Sequence, residues 1–100
     1  MNGQQQQGQQ IQIKIDDATM KGAYANNMLV SHSKEEFVMD FMNVYPLQNA
    51  GIVSARVITS PGHAKRILGA LKENIEKYEK NFGTIEVARA PTQNELGFKG

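Results

Sequence analysis

The residues able to do chemistry are few and scattered. His32 and His63 are the only histidines, and cysteine is absent. Two imidazoles make a proton-transfer or metal pair only if the fold brings them together; singly, each reads as a capping or strand-end polar group. Without thiolates there is no disulfide framework, no thiol nucleophile and no zinc site built on sulfur. Asp16, Asp17 and Asp40 offer carboxylates to a cation, but no EF-hand spacing or offset Glu accompanies them, so they read as solvated turn residues. Ser31, Ser33 and Ser60 lack the context of a nucleophile elbow. These patterns point away from an enzyme and call for no metal and no cofactor.

One segment concentrates charge at a structural corner. In Arg56–Arg66 (RVITSPGHAKR), Ser60-Pro61 is a strong helix start, a hydroxyl N-cap followed by proline at the first helical position. Helix N-termini carry unpaired N–H groups and partial positive charge. Adding His63, Lys65 and Arg66 to the first turn and a half opposes that dipole, where stability alone favours Asp or Glu. Arg56, Ser60, Gly62, His63, Lys65 and Arg66 therefore form a candidate site for an anion or an acidic partner segment, with Gly62 permitting close backbone approach. The alternative is a solvated helix face whose cations pair with Asp16, Asp17 or Asp40.

The elements that position this corner follow from hydrophobic period. Ile11, Ile13 and Ile15 alternate with polar residues, as in a half-buried strand. Residues 23–31, 36–45 and 52–59 read as three more strands, separated by the Ser33-Lys34 reversal and by Pro46. After Ser60 the period changes. Ala64, Ile67, Leu68, Leu71, Ile75, Tyr78 and Phe82 fall at steps of three and four on one helix, and Gly83 stands where a C-cap is wanted. Short connections imply antiparallel neighbours. The expected fold is α+β: an antiparallel four-stranded sheet followed by one long C-terminal helix (ββββα).

Both faces of that sheet carry apolar residues. Phe37, Met39 and Phe41 share one face of the third predicted strand, and Val38, Met42 and Val44 share the other, interrupted by Asp40. One helix covers one face, and each large side chain left out forgoes about 1.5–3 kcal/mol. A second copy of the chain is the economical cover, through an interface of Val38, Met42, Val44, Val53 and Val57, giving a homo-oligomer (dimer or tetramer). Asn26-Asn27 is either a register-setting interface pair or a strand end. Met20, Met28, Met39 and Met42 are either an adaptable surface or core filler.

Composition bounds the rest. The chain has 100 residues, 40% of them hydrophobic, and a formal net charge of +1, which gives no general pull toward nucleic acid or anionic membranes. Residues 1–10 contain six glutamines and no apolar residue after Met1, and read as a disordered tail. Residues 88–100 read as a second, flexible tail, leaving one domain over 11–87. No apolar run approaches a membrane span and no secretory signal is seen, so a cytoplasmic protein is expected.

Tyr24-Ala25-Asn26, Val30–Ser33, Glu35–Phe37, the run Arg56–Arg66, Tyr78-Glu79 and Phe82-Gly83 resemble a family of small bacterial proteins known as domain of unknown function 3467. The resemblance covers about residues 11–87 and implies no activity. In architecture alone, strands followed by a helix in an oligomer are similar to SecB-type export chaperones and to PC4/Whirly-type single-stranded-DNA-binding proteins. The sequence thus suggests a non-enzymatic oligomeric binding protein, with holdase-like recognition of extended or apolar protein segments. The alternative is single-stranded nucleic-acid binding across the sheet and the basic helix start. Such binders want a basic groove with stacking rings, and this chain has 7% aromatics and no Trp. Deleting residues 1–10 is expected to leave the thermal midpoint within about a degree of wild type, because nothing in them anchors a core. Calorimetry of the truncated chain checks this, and a drop of several degrees would show the segment packs on the domain.

Overall fold

The structure, a computed structural model, describes residues 10–89. Residues 1–9 and 90–100 lie outside the described residues, and with them most of both expected tails. The element order is a short helix α1 (Asp17–Met20), strands β1 (Asn27–His32) and β2 (Phe37–Tyr45), a 3-10 turn (Pro46–Gln48), strand β3 (Ala50–Thr59) and helix α2 (Pro61–Phe82). The fold is α+β, with an antiparallel sheet and a C-terminal helix.

Among the described residues the sheet has three strands, in the order β1-β2-β3, not four. The expected first strand is absent. Alternating apolar residues become a strand only where a neighbouring edge takes their hydrogen bonds, and Ile11–Ile15 pairs with none. Ile11 and Ile13 are 91% and 88% exposed. The following loop instead turns through α1, where the Asp16 carboxylate accepts the Thr19 N–H at 2.7 Å.

Short-range chemistry sets the meander. Between β1 and β2, the Ser33 hydroxyl accepts the N–H groups of Glu35 and Glu36, and the Ser33 N–H donates to the Glu36 carbonyl. Between β2 and β3, Pro46 starts a 3-10 turn that Asn49 closes in the left-handed region at φ 49°. Asn26 is a strand end of an unusual kind. Its side-chain amide accepts the Val44 N–H at 2.8 Å and donates to the Val44 carbonyl at 3.1 Å, doing for β2 what a further β1 backbone residue would do. Asn43 returns the favour by donating to the Tyr24 carbonyl.

Register decides which residues share a face. Phe41 stands opposite Ala55, whereas Met42 stands opposite Val53, so Ser54 is an extra residue bulged out of β3. Its hydroxyl donates to the Phe41 carbonyl. The bulge shifts every residue before it to the other face. Val53 therefore joins Val38, Met42 and Val44 as expected, but Val57, opposite Met39, lies on the other face of the sheet, the one that α2 meets. The expected interface set is thus split by one inserted residue.

Helix α2 begins and ends where the sequence places it. The Ser60 hydroxyl caps it by accepting the His63 N–H, and Gly83, at φ 96°, leaves it. The helix meets the sheet only along its first turns, and no residue of it is buried. Ser60→Ala is expected to cost about 1 kcal/mol, and Asn26→Ala about 1–2 kcal/mol through two lost hydrogen bonds. Urea denaturation at one fixed protein concentration measures both; no change in the Asn26 variant would mean its amide does not hold the strand end.

Candidate functional site

Arg56 is the first residue of the expected corner site to be relocated. It sits directly opposite Asp40 on β2, on the sheet face away from α2. Its guanidinium donates twice to the Asp40 carboxylate, Nε to Oδ1 at 2.7 Å and an Nη to Oδ2 at 2.9 Å. This is the two-pronged geometry that a planar guanidinium is built for. Asp40 is 6% exposed, while the Arg56 side chain remains largely open. The Arg56 hydrogen bonds hold the Asp40 carboxyl below its ordinary value near 3.8, burial opposes them, and the Arg56 charge adds to the lowering. The same pairing raises the Arg56 pKa. Asp40 is thus partnered by a strand neighbour and not by Lys65 or Arg66.

The remaining corner residues do come together, and they largely satisfy one another. The Ser60 hydroxyl is occupied by the His63 N–H, and the Ser60 carbonyl accepts the Ala64 N–H. His63 Nδ1 lies 2.7 Å from the Thr59 hydroxyl, which ties the helix start to the strand end. Gly62 has ordinary helical backbone with open space where a Cβ would be. Lys65 and Arg66 are exposed. Thr59 and His63 have the form of a nucleophile–base pair, but among the described residues no third group orients the ring. His32 is stacked on Phe37, its cross-strand partner, with ring centroids 5.3 Å apart, and so serves the hairpin. Among the described residues no group of three or more His, Asp or Glu could hold a metal ion. No helix among them is long and apolar enough to cross a membrane.

Two apolar surfaces have no counterpart among these polar groups. The first is a groove of about 390 Å³ between α2 and the sheet, walled by Met28, Val30, Phe37 and Met39 on one side and by Ala64, Ile67, Leu68 and Leu71 on the other. The second is the outer edge of β3, where Ile52 and Val57 are exposed on the helix-side face and Val53 and Ile58 on the reverse. The sequence reading missed both in this form. Finding the groove requires knowing that α2 leaves the sheet after its first turns, and finding the edge requires knowing that β3 ends the sheet.

Among the described residues the architecture is a small α+β meander with one projecting helix and two uncovered apolar surfaces. The chain belongs to the family described as protein of unknown function (DUF3467), which it matches over residues 1–87. No curated protein and no solved structure matches it.

The Asp40–Arg56 pair gives a pH dependence of defined sign. A carboxyl whose folded pKa is depressed contributes stability above its unfolded value, 3.8, and loses it as pH falls through the folded value. Asp40→Asn should therefore flatten the acid limb of a stability-versus-pH curve below pH 3.8. An acid limb parallel to that of wild type would show that the pair does not couple to folding.

Proposed function

We propose that the chain is a non-enzymatic, homo-oligomeric binding protein that holds extended apolar protein segments, in the manner of a holdase. The observation that carries this reading is the outer edge of β3. It is a ten-residue strand at the border of the sheet, with exposed apolar side chains on both faces. Its one charged residue, Arg56, is engaged by Asp40. Proteins that avoid strand pairing guard their edges with free charges or proline. Apart from the Ser54 bulge, β3 lacks such guards. An extended segment added there gains main-chain hydrogen bonds and seats alternate side chains against Ile52 and Val57 or against Val53 and Ile58.

Polar chemistry supports the same reading. The Ser60 cap and the His63 ring are engaged within the corner, leaving Lys65 and Arg66 exposed, and His32 stacks on Phe37. The test uses the full chain at micromolar concentration, mixed with a chemically unfolded protein diluted from denaturant. Wild type is expected to suppress light scattering by the client. Ile52→Lys/Ile58→Lys should abolish that effect while leaving the far-ultraviolet spectrum intact, because lysines guard an edge without entering the core. Failure of wild type to bind the client, or binding of single-stranded DNA instead, would overturn the proposal.

A further inference from the structure

The groove beside α2 has a definite occupant. We infer that it is filled by α2 of a second copy of the chain, running antiparallel to the first. This rests on the oligomeric part of the reading above but not on client binding. Within the apolar stripe of α2, Ala64, Leu68, Leu71, Ile75, Tyr78 and Phe82 are spaced four, three, four, three and four residues apart. That is the 3.5-residue period of a helix seam that packs on another helix, and Ile67 widens it only over the first half, where the helix lines the groove. The helix is 22 residues long, roughly 33 Å at 1.5 Å per residue. Only its first half lines the groove. The second half carries the seam past the sheet, where Ile75, Tyr78 and Phe82 are exposed and the rings of Tyr78 and Phe82 stand 5.0 Å apart.

The sequence of the seam selects the antiparallel register. With a two-fold axis beside Glu73, every layer closes. Ala64, nine residues before the axis, meets Phe82 of the partner subunit, nine residues after it. Leu68 meets the partner's Tyr78, and Leu71 meets the partner's Ile75. The smallest residue of the seam faces its largest, which is what interdigitated packing asks for. Beside the seam, Lys65 lies next to the partner's Glu79 at both ends, an opposite-charge pair. Lys72 meets its own symmetry mate near the axis, a mild repulsion between exposed groups. A parallel pair would instead stack Ala64 on Ala64, leaving a void beside the sheet. The antiparallel pair brings the partner's Tyr78 and Phe82 over Leu68 and Ala64, at the mouth of the groove walled by Met28, Val30, Phe37 and Met39. Each groove is thus completed by the distal helix of the other copy.

Because the chain contains no cysteine, thiol cross-linking tests the register directly. Lys65→Cys and Glu79→Cys are made separately in the full chain, mixed, equilibrated and treated with a short bifunctional maleimide. The mixture should yield a covalent heterodimer, while either variant alone stays single on a denaturing gel. Lys72→Cys alone should cross-link to itself. Cross-linking of Leu71→Cys to itself without a Lys65/Glu79 heterodimer would establish a parallel pair and overturn the inference. So would a monomeric mass for wild type by light scattering at the same concentration. Neither result depends on whether an unfolded client binds, so the two proposals fail separately.

Discussion

The described residues, a three-stranded meander with apolar residues on both faces and a single long helix, do not bury their own apolar surface. Among the described residues, Met42 is the only buried hydrophobic side chain, at 4% exposure. Hydrophobic burial is the main favourable term in folding, and a chain of this size has little to spare. The helix is well capped and regular, yet its apolar stripe faces open space for most of its length. The ladder, the Ser33 and Asn49 turns and the Asn26 amide specify the meander locally without supplying a core.

The polar interactions fit the same picture. Asp40 is nearly covered and sits among Val38, Met42, Val44, Val53 and Ile58, a position that calls for an apolar residue. An ion pair there is weak evidence for stability, since burial of the charges opposes the attraction between them. Its evident effect is on register. The two-pronged contact joins residues that are directly opposite, two places from the Ser54 bulge, where a one-residue slip would reverse every side chain beyond it.

What the sequence made legible was local. Ser60-Pro61 and Gly83 bracket the helix because capping depends on the residues at the ends. The three observed strands follow from β-branched and alternating runs, and the Ser33 reversal from a hydroxyl in a tight turn. What stayed hidden was non-local. Ile11, Ile13 and Ile15 have the period of a strand, but no period reports whether an edge is there to receive it. Nothing in the types of Val53, Ser54 and Ala55 announces the bulge, so strict alternation puts Val57 on the face it does not occupy. Proximity in the chain groups Arg56 with the helix start, although its strand neighbour across the sheet is its partner. The helix periodicity predicted a stripe against the sheet; only the departure of α2 from the sheet turns that stripe into a seam with an unfilled groove beside it.

If a second copy completes the fold, as proposed, the thermal midpoint must depend on protein concentration. An obligate dimer gains stability by mass action as protomer concentration rises. The midpoint of the full chain should therefore climb steadily across a hundredfold dilution series, with light scattering reporting a dimer at the upper end. A midpoint independent of concentration, together with a monomeric mass throughout, would show that the chain folds without a partner copy.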